Sequence, residues 1–151
     1  MVFFDIGDTL AGAVADPGGA VRLDVFPFVP EVLSRLRGAG GMHGSPRLGL
    51  MSNTGDLTGA AMNALLADAG LLPLFEADLC LFSSVEGIDK SQSAFFTRGS
   101  DRAGLPAARC LFVGENERER RVAESAGFRT SPHPLHALHL VETELAPPAP
   151  G

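Results

Sequence analysis

The feature that most constrains this chain is an alternation. Short apolar runs of strand length take turns with longer stretches that carry one apolar face. The strand-like runs are Val2 to Ile6, Leu48 to Ser52, Leu79 to Ser83, Cys110 to Val113 and Phe128 to Ser131. Between them lie helix-like stretches. The first has Pro30 in its first turn and Val32, Leu33 and Leu36 on one face, and is stopped by Gly38 to Gly41. The next three run over Leu57–Ala69, Gln92–Ala103 and Glu117–Ala126, each ended by a glycine (Gly70, Gly104, Gly127), and a last one covers Leu135–Glu142. Strands separated by helices of this length imply βαβ units and a parallel sheet covered on both faces. The expected class is therefore α/β, a three-layer Rossmann-like sheet. One interval differs: Asp16-Pro17-Gly18-Gly19 between Leu10–Val14 and Ala20–Val25 predicts a β-hairpin. Residues 40–46, GGMHGSP, read as a loop.

With 151 residues the chain has the length of one domain, long enough to bury a core without disulfide staples. A single domain over 1–144 is expected, followed by a poorly ordered Pro-rich tail, 145–151. The composition, 45% hydrophobic and 20% charged, is that of a soluble globular protein. A net charge of −6 argues against nucleic acid or an anionic membrane as the main partner, because both select a basic surface. Cys80 and Cys110 lie singly in two apolar runs, with neither a disulfide framework nor metal-ligand spacing, which suits a reducing cytoplasm. No segment reaches the roughly 18 apolar residues of a membrane span. The opening MVFFDI lacks a charged n-region and a cleavage site, so no signal peptide is expected.

Parallel α/β sheets bind ligands beyond the carboxyl ends of their strands. The residues at those ends are Asp5-Ile6-Gly7-Asp8-Thr9 after the first run and Ser52-Asn53-Thr54 after the second. Lys90 follows the third, and Gly114-Glu115-Asn116-Glu117-Arg118-Glu119 follows the fourth. Together they supply a carboxylate, a hydroxyl, an ammonium group and further carboxylates. That set suits phosphoryl transfer: a carboxylate attacks phosphorus, a metal held by acids neutralises the phosphate, and hydroxyl and ammonium groups hold its oxygens. Oxygen ligands favour Mg²⁺ over Zn²⁺.

On these residues the chain resembles the haloacid dehalogenase (HAD) superfamily. FFDIGDTL is similar to the first HAD motif, LGLMSN to the second, Lys90 to the third-motif lysine and LFVGENERE to the fourth, in family order over roughly residues 1 to 131. The resemblance implies that Asp5 is the nucleophile, forming an aspartyl-phosphate, and also a metal ligand. It implies that Thr9, Ser52, Asn53 and Lys90 hold the phosphate. It further implies that Gly7, through its carbonyl, together with Glu115 and Glu119 completes a Mg²⁺ site. The hairpin would be the flap after the first strand. Neither interval that can house a family cap has room for a large one, so the resemblance implies an open site. Such a site takes a phosphorylated small molecule or macromolecule, or a protein partner completes it.

Two positions depart from the family pattern. Gly7 stands where the acid–base aspartate is expected, and help of that kind is worth about 10²–10⁴ in rate; Asp8 comes one residue late. Glu115 stands where aspartate is usual, and the extra methylene displaces its carboxylate by roughly 1.5 Å. The expected function is a phosphatase weakened by these changes; the alternative is a catalytically impaired binding or regulatory module. Simpler readings compete at single positions. Ser52 also suits a cap or turn, Lys90 a solvated lysine, and Glu115 and Glu119 a charged first turn of a helix. His133, His136 and His139 recur every third residue, but Pro134 and their place near the end favour a solvated face over a metal site. Arg118, Arg120 and Arg121 are also expected to form a solvated face.

Overall fold

The structure is a computed structural model that describes residues 1–39 and 44–145. Five short strands form one parallel sheet: β1 (Val2–Phe4), β4 (Leu48–Ser52), β5 (Cys80–Phe82), β6 (Leu111–Val113) and β7 (Arg129–Ser131), in the order β5-β4-β1-β6-β7. The first strand in the chain is thus the central one. It pairs with β4 through Val2–Leu48 and with β6 through Val2–Leu111. A separate antiparallel hairpin, β2 (Ala11–Ala15) with β3 (Val21–Val25), follows β1.

Alternation along β1 divides the core into two layers, because successive side chains of a strand face opposite ways. Val2 and Phe4 join Leu48, Leu50, Leu111 and Val113 on one face, covered by α1 (Val29–Gly38), α2 (Gly59–Asp68) and α6 (Pro134–Leu145). Phe3 joins Met51, Leu81 and Phe112 on the other, covered by α4 (Ser93–Ala103) and α5 (Glu117–Ser125). This is the three-layer arrangement expected from the sequence. The fully apolar sequence of β1, rather than a polar–apolar alternation, is what a strand covered on both faces requires. Two close approaches hold the layers tight. A Cβ on Gly49 would stand 2.5 Å from the Leu79 carbonyl, and one on Gly99 would stand 2.0 Å from the Met51 Cε.

The structure shifts several predicted boundaries. The first run leaves the sheet after Phe4, although the Asp5 N–H still donates to the Val113 carbonyl. Ser83 does not extend the third sheet strand of the sequence; it opens a one-turn helix, α3 (Ser83–Glu86), closed by Gly87 at φ 71°. The second helix starts at Gly59, because Thr58 caps it by accepting from the Ala61 N–H. The last helix runs on to Leu145, three residues past Glu142. The rest of the predicted tail, 146–151, and part of the predicted loop, 40–43, lie outside the described residues. The hairpin forms on the predicted turn, where Asp16 Oδ1 accepts from the Gly18 and Ala20 N–H groups. Between β1 and β4 the described residues hold this hairpin and α1. Between β4 and β5 they hold α2 and two 3-10 turns. No helix among the described residues is long and apolar enough to cross a membrane.

Candidate active site

The carboxyl ends of β1, β4 and β6 bring three loops together, and a buried lysine joins two of them. Lys90 follows α3 and is only 2% exposed. Its Nζ donates to Asp5 Oδ1 at 2.7 Å and lies 2.9 Å from Glu119 Oε2. The Phe112 ring lies 5.8 Å from Nζ. A charge this deep is retained only if it is paired. Here two carboxylates share it, leaving the trio with one net negative charge. The second contact is an ion pair by distance alone. Glu119 Oε2 is buried and lies off the hydrogen-bonding direction, so it takes no hydrogen bond.

Local structure presents Asp5. Its Oδ1 accepts the Ile6 N–H at 2.8 Å as well as the lysine, so both contacts fall on one oxygen and Oδ2 shares neither. The chain then turns sharply. The Ile6 carbonyl accepts from Thr9, Leu10 and Ala11, and Asp8 adopts the left-handed conformation at φ 57°. Gly114 lets the neighbouring loop pass close by, since a Cβ there would stand 2.8 Å from the Phe112 ring and 3.5 Å from Asp5 Cβ. Asn116 caps α5 by accepting the Glu119 N–H, which places Glu119 in the first turn, facing Lys90.

The remaining predicted residues fall into three groups. Ser52, 6% exposed, ends β4, and Asn53 follows it, accepting the Lys90 N–H on its Oδ1 at 3.0 Å. Thr9 is as buried as Lys90, 2% exposed, and its hydroxyl accepts the Glu115 N–H. It ties the first loop to the fourth. Gly7 and Glu115 are exposed, and the Glu115 carbonyl accepts from Arg120. A Cβ on Gly7 would meet nothing within 4 Å.

The three histidines do not converge. His136 Nδ1 pairs with the Ser131 hydroxyl, and the His133 ring lies 4.9 Å from that of Phe28. Among the described residues no group of three or more His, Cys, Asp or Glu side chains is placed to hold a metal. The predicted solvated face of arginines is corrected in part. Arg120 donates to the Gly114 and Glu115 carbonyls, which fastens the fourth loop, whereas Arg121 makes only an exposed pair with Glu117.

Two supports escape sequence reasoning. Glu86 is nearly buried and pairs with both Arg98 and Arg102, which clamps the segment before Lys90 onto α4. Burial pushes the Glu86 carboxyl up, but the hydrogen bonds from Arg102 and Arg98 outweigh it and hold the carboxyl below its ordinary range. Thr54 Oγ1 donates to Ser84 Oγ at 2.7 Å, joining the second loop to α3. The only sequence signal for either was an acid or a hydroxyl near the end of a strand.

No family model matches the sequence, and no curated protein matches it. Solved structures do. An uncharacterized protein from Listeria monocytogenes serotype 4b superposes with a TM-score of 0.72 at 14% identity, over 94% of this chain and 98% of that one. A HAD phosphatase from Thermococcus onnurineus superposes with a TM-score of 0.64 at 17% identity, over 79% of this chain and 59% of that one. The fold is that of the HAD superfamily. A HAD-superfamily hydrolase of subfamily IA, variant 1, from Geobacter sulfurreducens adds a TM-score of 0.62 at 20% identity, over 79% of this chain and 57% of that one. The chain thus spans less than two thirds of the length of these two HAD proteins. The HAD-like sheet accounts for the order of the strands and so for Asp5 and Ser52 lying at the ends of neighbouring strands.

Proposed function

We propose that the protein is a Mg²⁺-dependent phosphomonoester hydrolase with Asp5 as its nucleophile. The reading rests on one observation: Lys90, 2% exposed, is held 2.7 Å from Asp5 and 2.9 Å from Glu119 at the carboxyl edge of the sheet. Burying an ammonium and two carboxylates costs several kcal/mol per ion before their mutual attraction is counted (roughly, from the transfer of such ions out of water). A trio kept at the ligand-binding edge of an α/β sheet serves chemistry better than stability.

The donors fit the metal. The buried Glu119 oxygen has no hydrogen bond, and Mg²⁺ is commonly held by one or two carboxylates, with water and substrate phosphate in its other positions. Asp5, Glu119 and the Gly7 carbonyl would hold it; Glu115, exposed, is not grouped with the two carboxylates and would have to swing in to join them. When bound, the metal supplies positive charge against the phosphate oxygens. Asp5 Oδ2 attacks phosphorus while Oδ1 stays anchored by the Ile6 N–H and Lys90. Lys90 and the Ser52 hydroxyl receive the phosphoryl oxygens. The aspartyl-phosphate on Asp5 is then hydrolysed, and without an acid at position 7 both leaving-group departure and water attack proceed unassisted. The substrate is a phosphorylated small molecule or macromolecule.

Gly7 and the exposed Glu115 favour a second reading, in which the same site binds a ligand without turning it over. The two readings separate on an aryl phosphate with a good leaving group, such as 4-nitrophenyl phosphate at millimolar Mg²⁺. The enzyme reading expects turnover that Asp5→Asn abolishes, and a beryllofluoride adduct on Asp5. Neither turnover nor adduct would leave the binding module standing. An unchanged rate in Asp5→Asn would sink the assignment of Asp5.

A further inference from the structure

Against Lys90 and Glu119 lies a cleft of about 340 Å³, walled also by Asn53, Ser91, Asn116 and Arg118 and, on its apolar side, by Val122. What distinguishes it is the direction of its hydrogen-bonding groups. Asn53 Oδ1 accepts the Lys90 N–H and Asn116 Oδ1 accepts the Glu119 N–H. Both amide oxygens are taken by backbone donors, which fixes the amide orientation and leaves each –NH₂ as a donor. Ser91 gives its proton to Asp89. The one carboxylate in the wall, Glu119, is paired with Lys90.

Arg118 completes the wall. Its neighbours are occupied: Glu117 pairs with Arg121, and Arg120 serves two backbone carbonyls. Among the described residues nothing pairs with the exposed Arg118 guanidinium. In a chain of net charge −6, the cleft against Lys90 and Glu119 thus offers two amide donors and an uncommitted guanidinium.

We infer that Arg118, with Asn116, is a specificity determinant that receives a second anionic group on the substrate. The substrate class is then a phosphomonoester whose leaving group carries a carboxylate or a further phosphate. This rests on the phosphatase reading above. With only small insertions around the site, selection falls to the core itself, and a guanidinium is the side chain best suited to a planar or multi-oxygen anion.

The test compares phenyl phosphate with 4-carboxyphenyl phosphate, and for binding the matching phosphonates, in the full chain with Mg²⁺. The wild type should favour the carboxylated compound in kcat/KM by about ten- to a hundredfold, the range of a charge-assisted contact. Arg118→Ala should bring that ratio close to one, chiefly through KM, while Arg118→Lys keeps part of it. A ratio that Arg118→Ala leaves unchanged, or a wild type indifferent to the carboxylate, overturns the inference. The phosphonates, read by calorimetry, separate the two levels. Binding of both with equal affinity defeats the role of Arg118 and leaves the phosphate site standing. Binding of neither defeats both.

Discussion

At the scale of residues, the site is governed by charge balance. Lys90 has two carboxylate partners, and removing the ammonium leaves both with an unpaired buried charge. Lys90→Met should therefore lower stability by about 3–5 kcal/mol, the cost of breaking a buried ion pair. Asp5→Asn, which leaves Lys90 still paired with Glu119, should cost less. Adding Asp5→Asn to Lys90→Met should recover part of the loss. Urea midpoints of the three proteins check this; equal losses for the two single variants would contradict the balance. Gly7 gives a second prediction. A side chain there meets no atom within 4 Å, and the residue is not among those with positive φ. Gly7→Asp should thus change stability by no more than about 0.5 kcal/mol, as surface substitutions do. On the phosphatase reading it should also raise turnover of poor leaving groups by about 10². Good leaving groups need less acid assistance and should gain less; equal gains, measured as kcat/KM across a leaving-group series, would refute the missing-acid argument.

At the scale of elements, the segment carrying Lys90 is clamped rather than merely connected. Glu86 fixes it to α4 through Arg98 and Arg102. Its carboxyl is held below the ordinary value of 4.5 in the folded protein, so the clamp contributes stability above that pH and loses it as the pH falls through the lower folded value. Glu86→Gln should therefore be less stable by about 1–2 kcal/mol at pH 7, the scale of charge-assisted hydrogen bonds. The deficit should stay constant down to about pH 5 and close in stronger acid, as thermal melts at a series of pH values will record; a deficit independent of pH would rule the clamp out. Elements of this kind also mark the limit of sequence reading. The five strands were legible because apolar runs between turn signals have few other uses, and Asp5 and Ser52 were legible as polar residues at strand ends. The bridge from Lys90 to Glu119, the Glu86 clamp and the tie from Thr9 to Glu115 were not. Each joins residues far apart in the chain, and spacing along a sequence carries no trace of which distant loops will meet. Helix ends shifted for a local reason, since a cap such as Thr58 overrules the apolar pattern that suggests an earlier start.

At the scale of the whole molecule, the sheet separates two apolar cores and gathers its polar residues at one edge. The hairpin that follows β1 keeps Val14 and Val21 exposed. The order β5-β4-β1-β6-β7 has a further consequence. Val2–Phe4 finds its first neighbour at Leu48–Leu50 and its second only at Leu111–Val113. Contacts across such separations close late in folding, because the entropy of closing the loop is lost before the contact is gained. During synthesis the apolar strand bearing Asp5 would leave the ribosome before both of its neighbours in the sheet and wait, one side unpaired, until Leu111–Val113 follows. Nascent chains arrested with Val113 still inside the exit tunnel should remain open to protease, and those arrested with Ser131 well clear of it should resist; early resistance would contradict this. The strand that bears Asp5 is made before either neighbour, yet its second edge is covered only when Leu111–Val113 arrives.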